Sequence, residues 1–279
     1  MWNQIALDVP DDLKDAVTGE ASDSGAAGVW EDAGRLVLYF TAGASLDDIE
    51  GRIRAIFERS GVPHPGMTRS VVEDCDWTEE WKKSYSSFPV GTGFYVIPSW
   101  IDSRCPDDRL PIRIDPGQAF GTGTHETTQL TMELLERWVA PDQRVLDVGT
   151  GSGILALAAR MLGAKRVFAC DVDPVAVQVA GANILRNDEP EVWTFCGSVD
   201  AVAQASIHLL LGNLTADVIV YLLPEFHRIL GPQGLAIISG ILNEQREDVL
   251  AACHHQGFVV HEEIVRGEWL ALAIEKHGA

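Results

Sequence analysis

The period of apolar and polar residues changes several times along the first quarter of the chain. Residues 5–9 alternate as in a strand with one buried face, whereas apolar residues around 49–57 recur at helical spacing. The pattern predicts the order β-α-β-β-α-β: a strand over 5–9, a helix over 10–22, two short strands within 28–40 that turn at 33–34, a helix ending before 61, and a strand near 68–73. This is the order of a small ferredoxin-like α+β domain, which we assign to residues 1–67.

From about residue 141 strands and helices alternate, which is typical of a parallel sheet covered by helices. The predicted strands cover residues 144–149, 166–171, 192–196, 207–213 and 235–241, with helices over 154–162 and 174–187 and two more that end near 230 and 256. Two final strands meet at 266–267, a tight turn that predicts an antiparallel pair. The pattern predicts an α/β fold for this second domain, which we assign to residues 101–279.

Residues 68–100 connect the two predicted domains. Trp77, Trp81 and Tyr85 lie at i, i+4 and i+8, on one face of a predicted helix. Such an aromatic stripe favours packing against the larger domain, and the alternative is that it lines a substrate groove. Because the segment has no Ser-rich or Gly-rich tract, we interpret it as an ordered linker that leads into the second domain.

The charge of the chain limits the classes of partner that it can be expected to bind. The 279 residues carry 21 Lys and Arg against 41 Asp and Glu, a formal charge of −20 that argues against binding to nucleic acid or to an anionic membrane. The first 67 residues hold 5 basic and 12 acidic side chains, which leaves 16 and 29 for the rest, so both parts are acidic. The balance weakly favours a cationic partner, and the alternative is that an acidic surface only keeps the protein soluble.

Cysteine usage and the chain's start indicate the compartment. The five cysteines are far apart and form no metal-binding pair, so we expect reduced thiols and no metal site. No basic and apolar leader opens the chain, and no stretch approaches the roughly 20 apolar residues of a membrane helix. We therefore expect a cytoplasmic protein.

The strongest local motif is a glycine-rich turn between an apolar strand and a helix, at residues 145–153. Glycines let the backbone approach a nucleotide-like ligand, and a helix N-terminus offers free N–H groups. A dinucleotide-binding motif needs a third glycine one position after Gly153, where this chain has Ile154, so NAD is disfavoured.

Asp171 ends the second strand 22 residues after Gly149, where a carboxylate can accept hydrogen bonds from ribose hydroxyls. Asp173, which precedes a proline, fits a helix N-cap.

Together the turn and the acid at the end of strand two resemble the class I S-adenosylmethionine-dependent methyltransferases, which have a Rossmann-like sheet. The segment 115–128, Asp-Pro-Gly-Gln-Ala-Phe-Gly-Thr-Gly-Thr-His-Glu-Thr-Thr, is similar to the signature of the ribosomal protein L11 methyltransferase family. Further matches to that family lie at residues 76–82, 97–100, 239–242 with 245, and 268–269. The resemblance spans the whole chain.

This resemblance implies that S-adenosylmethionine is bound by Thr128, Gly149, Asp171 and Asn213, with Asn213 also orienting the incoming amine. It implies ribosomal protein L11 as the substrate, methylated on lysine ε-amines and on its N-terminal α-amine, with residues 1–67 as the recognition domain. No nucleic acid or membrane partner is implied, and we expect a monomer. The alternatives are a related methyltransferase acting on another protein or a small amine, and a non-catalytic ribosome-binding module.

The chain departs from the family pattern in strand four. His208 stands where the family has Asp, and Gly212 replaces Ala before Asn213. Neither change removes an implied cofactor ligand, but with these substitutions the family pattern does not predict the shape of the substrate entrance. For His125, a structural role and a contact with cofactor or substrate both remain open.

Overall fold

The computed structural model describes residues 2–26, 28–32, 35–41, 43–63, 66–72, 86–115 and 121–277. Contacts divide the chain into two compact units, residues 1–84 and 85–279. The predicted turn at 33–34 and the predicted aromatic helix at 77–85 lie outside the described residues. The domain boundaries at 67 and 100 stay predictions, and the first sheet includes a strand that runs to Val72.

The first unit is an antiparallel sheet in the order β2-β3-β1-β4 with two helices. Its elements are β1 (Trp2–Asp8), α1 (Asp11–Asp23), β2 (Gly28–Asp32), β3 (Arg35–Thr41), α2 (Leu46–Ser60) and β4 (Met67–Val72). Ile5 and Leu7 of β1 are fully buried in one core with Phe57 of α2, so the alternation in the sequence is the burial pattern of the strand. The predicted ferredoxin-like order is confirmed.

The second unit contains a seven-stranded sheet in the order β10-β9-β8-β11-β12-β14-β13. Its elements are β8 (Arg144–Val148), α4 (Ile154–Met161), β9 (Arg166–Asp171), α5 (Pro174–Arg186), β10 (Val192–Cys196), β11 (Ile207–Asn213), α6 (Ala216–Ile229), β12 (Leu230–Leu242), α7 (Arg246–His255), β13 (Phe258–Arg266) and β14 (Trp269–Lys276). Strands β8 to β12 are parallel, and β14 pairs antiparallel with both β12 and β13. The strand order reverses between β8 and β11, the position where open α/β sheets bind ligands. The Rossmann-like fold is confirmed.

Four elements of this unit have no counterpart among the predicted ones. They are a three-stranded sheet of β5 (Phe88–Val90), β6 (Phe94–Pro98) and β7 (Leu110–Ile114), and the helix α3 (Glu126–Trp138). Glu136 of α3 accepts hydrogen bonds from the backbone N–H of Thr92 and Gly93 and from the Thr92 hydroxyl, at 2.7–3.0 Å. The β5–β6 turn is thereby fastened to α3, which in turn packs on β12 and β14 of the large sheet.

Two expected absences can be compared with the described residues. Within the ranges given above, no helix is long and apolar enough to cross a membrane. In the same part of the chain, no group of three or more His, Cys, Asp and Glu side chains is placed to hold a metal ion. Four of the five cysteines are described, and all four are free thiols.

Candidate cofactor and substrate site

A cavity of about 570 Å³ opens at the carboxyl ends of the parallel strands. Gly149 follows β8, Asp171 ends β9 and Asn213 ends β11, and all three residues line it. The sheet brings them together because the carboxyl ends of neighbouring parallel strands meet at one edge. Three of the four predicted site residues therefore share one cavity, while their binding roles stay predictions.

The glycine-rich turn is shaped by left-handed backbone at Gly149, Gly151 and Gly153, with φ of 69°, 54° and 82°. At Gly149 a β-carbon would also lie 2.5 Å from Cδ2 of Leu214, so a side chain there would be both strained and obstructed. The N–H groups of Gly149 and Thr150 donate to the carbonyl of Cys170 at 2.9 and 3.0 Å, which ties the turn to β9. At its glycines the turn therefore presents backbone atoms to the cavity, with no side chain in between.

Both carboxylate oxygens of Asp171 accept a backbone N–H group, and one of them faces this turn. Its Oδ2 accepts a hydrogen bond from the N–H of Gly151 at 3.0 Å, and its Oδ1 accepts one from the N–H of Asp173 at 3.1 Å. Each oxygen keeps a further lone pair, so the carboxylate can still accept two hydroxyl donors. Asp173 is the N-cap of α5, as predicted, and accepts from the N–H of Val175 at 2.8 Å, but it also lines the cavity.

Thr128 is placed differently from the other three predicted residues. It is buried in α3, and its Oγ1 accepts a hydrogen bond from Nδ2 of Asn213 at 3.3 Å. The neighbouring Thr127 lines the cavity instead. Thr128 therefore orients the amide of Asn213 in this structure, while the side chain that faces the cavity from α3 belongs to Thr127.

His125 has a structural role and also borders the cavity. It is the N-cap of α3, where its Nδ1 accepts the N–H of Thr127 at 3.3 Å and lies 2.8 Å from the Thr127 hydroxyl. Its ring meets the indole of Trp269 edge-on, with centroids 5.0 Å apart, and both rings line the cavity. The sequence predicted no role for Trp269 beyond the family match at 268–269. Trp269 and His125 are far apart in the chain, so no local pattern indicates that their rings meet.

Asp147 lies directly beneath the glycine turn. It is fully buried, accepts the hydroxyl of Thr150 at 2.6 Å on Oδ2, and has no hydrogen-bond partner on Oδ1 within the described part of the chain. Burial raises the pKa of Asp147 to about 7, and the charge of Asp171 adds to the rise, against the hydrogen bond from Thr150. The carboxyl group therefore titrates close to neutral pH at the base of the site.

His208, the departure in strand four, lies at the start of β11, away from the carboxyl ends. Its Nδ1 accepts the backbone N–H of Arg144 at 2.9 Å. Burial and the nearby Arg144 guanidinium lower the pKa of His208, which favours the neutral ring that this hydrogen bond needs. The histidine therefore joins the starts of β8 and β11 and does not shape the cavity.

The cavity's chemistry fits S-adenosylmethionine. The ribose diol of that molecule needs a carboxylate acceptor, which Asp171 supplies, and the rest needs close backbone approach, which the glycine turn permits. Thr127 and Asn213 offer a hydroxyl and an amide for its polar amino-acid portion. The residues present therefore suit this cofactor.

Comparison with known proteins gives a consistent result. The family model for ribosomal protein L11 methyltransferase (PrmA) matches residues 2–277. The ribosomal protein L11 methyltransferase of Synechococcus elongatus is 34% identical over 289 residues, covering 98% of this chain and 96% of that protein. That of Pelotomaculum thermopropionicum is 44% identical over 207 residues, covering 74% of this chain and 67% of that protein.

A solved structure agrees with the sequence comparisons. The crystal structure of ribosomal protein L11 methylase from Lactobacillus delbrueckii subsp. bulgaricus matches with a TM-score of 0.66 and 33% identity, covering 70% of this chain and all of that chain. With the glycine turn, the carboxylate of strand β9 and the asparagine of β11 around one cavity, these matches place the chain in the ribosomal protein L11 methyltransferase family, whose members use S-adenosylmethionine as the methyl donor.

Proposed function

We propose that this enzyme methylates ribosomal protein L11 in the cytoplasm, on lysine ε-amines and on the N-terminal α-amine. The names of the relatives support the substrate. The observation that carries the chemistry is the position of Asn213, at the end of β11 and on the wall of the cavity, where Thr128 holds its amide. An amide oxygen there can accept a hydrogen bond from an incoming amine.

The mechanism that we propose depends on positioning. S-adenosylmethionine, when bound, supplies a methyl group that is already activated on a sulfonium. Asp171 would hold the ribose, Thr127 and Gly149 would meet the amino-acid portion, and Thr128 would contribute by holding the amide of Asn213. Asn213 would orient the amine nitrogen towards the methyl carbon, and such alignment can contribute several kcal/mol to lowering the barrier.

The attacking amine must be neutral. Leu214, Val218 and Trp269 give the cavity apolar walls. A lysine amine that enters such surroundings loses hydration, which lowers its pKa and favours the neutral form. We therefore assign no dedicated base, and Asn213 would act by orienting the amine.

For recognition of the substrate, we propose that the first unit binds L11. Both units are acidic, and the whole chain has a formal charge of −20. A basic ribosomal protein would approach such a surface at a favourable potential, whereas a nucleic acid would be repelled. We propose that the enzyme acts as a monomer.

The decisive experiment incubates the purified enzyme with isotopically labelled S-adenosylmethionine and L11, and locates the label by mass spectrometry. We expect label on lysine side chains and on the N-terminal amine of L11. Label only on another protein or on a small amine would replace the substrate assignment. Cofactor binding without label on any acceptor would support the non-catalytic alternative.

A further inference from the structure

The C-terminal end of helix α5 pairs with the end of strand β7 through two asparagine side chains, one within the helix and one at its C-cap. Asn187 accepts the N–H of Arg113 at 2.8 Å and donates to the carbonyl of Arg113 at 2.6 Å. One helical turn earlier, Asn183 makes the same pair of bonds with Asp115, at 2.8 and 3.0 Å. The two amides thus satisfy alternate backbone groups, as a neighbouring strand would.

Asn183 makes two contacts that Asn187 does not. Its Nδ2 also donates to the carbonyl of Ser152, in the glycine-rich turn, at 2.8 Å. Its Oδ1 accepts a second bond from Arg186, so both donors and both lone pairs of this fully buried side chain are used. Asn183 therefore links the chain at Asp115 directly to the turn that lines the cavity.

Ser152 carries a second link to the same region of the chain. Its hydroxyl donates to the carbonyl of Gly121 at 2.5 Å, and a β-carbon on Gly121 would lie 2.8 Å from that hydroxyl. Asp115 and Gly121 are thus both tied to Ser152, one through Asn183 and the other directly. Gly121 lies only a few residues before Thr127, which lines the cavity.

We infer that Asn183 is a positioning residue for S-adenosylmethionine, because it fixes the glycine-rich turn at Ser152 relative to the chain that leads to Thr127. The cavity takes Gly149 and Gly151 from the turn and Thr127 from the other part, and Asp171 is bonded to the turn at Gly151. A cofactor that contacts both parts binds tightly only when their spacing is set in advance. The inference rests on cofactor binding in this cavity and not on the identity of the methyl acceptor.

The test compares Asn183→Ala with Asn187→Ala in the full-length enzyme. Each change leaves backbone groups unpaired, those of Arg113 in β7 for Asn187→Ala and those of Asp115 just after β7 for Asn183→Ala, and should lower the free energy of unfolding. Only Asn183→Ala also releases Ser152, so calorimetric titration with S-adenosylmethionine should show a Kd about tenfold higher for this variant, which corresponds to about 1.4 kcal/mol. The Kd of Asn187→Ala should stay within about twofold of the wild-type Kd, because this change leaves the bond between Asn183 and Ser152 in place.

An unchanged Kd in Asn183→Ala, or an equal increase in both variants, would overturn the inference, since a merely structural role predicts one or the other. If Asn183→Ala does not fold, Asn183→Asp decides. That variant keeps the oxygen that accepts from Asp115 and Arg186 but loses the donor to the Ser152 carbonyl, so it should also raise the Kd several-fold, and an unchanged Kd would overturn the inference. Wild-type enzyme that binds the cofactor but leaves L11 unlabelled would refute the proposed function alone.

Discussion

At the scale of single residues, the site depends on side chains that serve the protein and the cavity together. Asp171 accepts two backbone N–H groups and still has acceptor capacity, and Asn213 is held by Thr128 while it faces the cavity. These contacts preorganise polar groups before any ligand arrives, which lowers the entropy lost on binding.

Asn213→Ala tests the orientation of the amine. The change removes the amide without filling the cavity, so we expect kcat with L11 to fall about tenfold or more, as one hydrogen bond in the transition state is lost. Steady-state kinetics together with a cofactor titration measure it. Unchanged kcat and unchanged cofactor affinity would rule out the assignment, and Asn243→Ala, which loses an exposed bond to the Gly267 carbonyl, is the control.

Asp147→Asn tests the buried carboxyl group. The pKa of Asp147 is raised to about 7 in the folded protein, so the native state holds the proton more tightly than the unfolded chain. Stability from this group is present below about pH 4 and is lost as the pH rises through about 7, by on the order of 4 kcal/mol. With the amide in place of the carboxyl group, that pH dependence should disappear from urea unfolding curves between about pH 4 and 8. A slope equal to that of wild type would show that Asp147 does not titrate in this range.

At the scale of elements, α3 connects the small three-stranded sheet with the cavity. Its first turn presents Thr127 and Thr128, and its last turns hold the β5–β6 turn through Glu136. Arg109 reinforces that turn by donating to the carbonyls of Gly91 and Phe94 at 3.1 and 2.8 Å. The small sheet therefore buttresses the helix that supplies one wall of the site.

Glu136→Ala should weaken this attachment. It removes the acceptor of three hydrogen bonds and leaves two backbone donors unpaired, so we expect the free energy of unfolding to fall by roughly 3 kcal/mol. Glu136→Gln keeps one acceptor oxygen and should lose less. Urea unfolding of both variants provides the comparison, and equal loss in the two would assign the effect to charge alone.

At the scale of the whole molecule, we propose that the first compact unit binds the substrate and the second binds the cofactor. Every described residue that lines the cofactor cavity belongs to the second unit. Strand β4 completes the sheet of the first unit and ends at Val72. A fragment that begins at residue 73 therefore lacks the whole of that sheet.

The fragment 73–279 tests this division. We expect it to bind S-adenosylmethionine with a Kd close to that of the full chain, because all the residues that line the cavity in the described part of the chain are retained. Its KM for L11 should rise about tenfold or more, since the proposed recognition surface is gone. Methylation of L11 at full efficiency by the fragment would refute the recognition role of the first unit.

The local pattern of the sequence was enough to predict the order of strands and helices in the first unit and, in the second unit, from β8 onward. Period-two alternation and short apolar runs reflect burial of one or both faces of a strand, which is a local property. The glycine turn and the acid 22 residues later were predictable for the same reason, because both belong to one β-α-β unit. The β5–β7 sheet escaped prediction because its short strands are stabilised by contacts with α3 and α5.

What the tertiary structure alone decided is which distant side chains meet. Thr128 and Asn213 are 85 residues apart and share a hydrogen bond, and Asn183 reaches Asp115 across 68 residues. The role of His208 became clear only when β8 and β11 were seen side by side. The sequence by itself determined the elements of the first unit and those from β8 onward, with the residue types at their ends, since periodicity and turn chemistry are local. Only the folded sheet decided which of them line the cavity, because hydrogen bonds and burial depend on neighbours that the chain brings together from far apart.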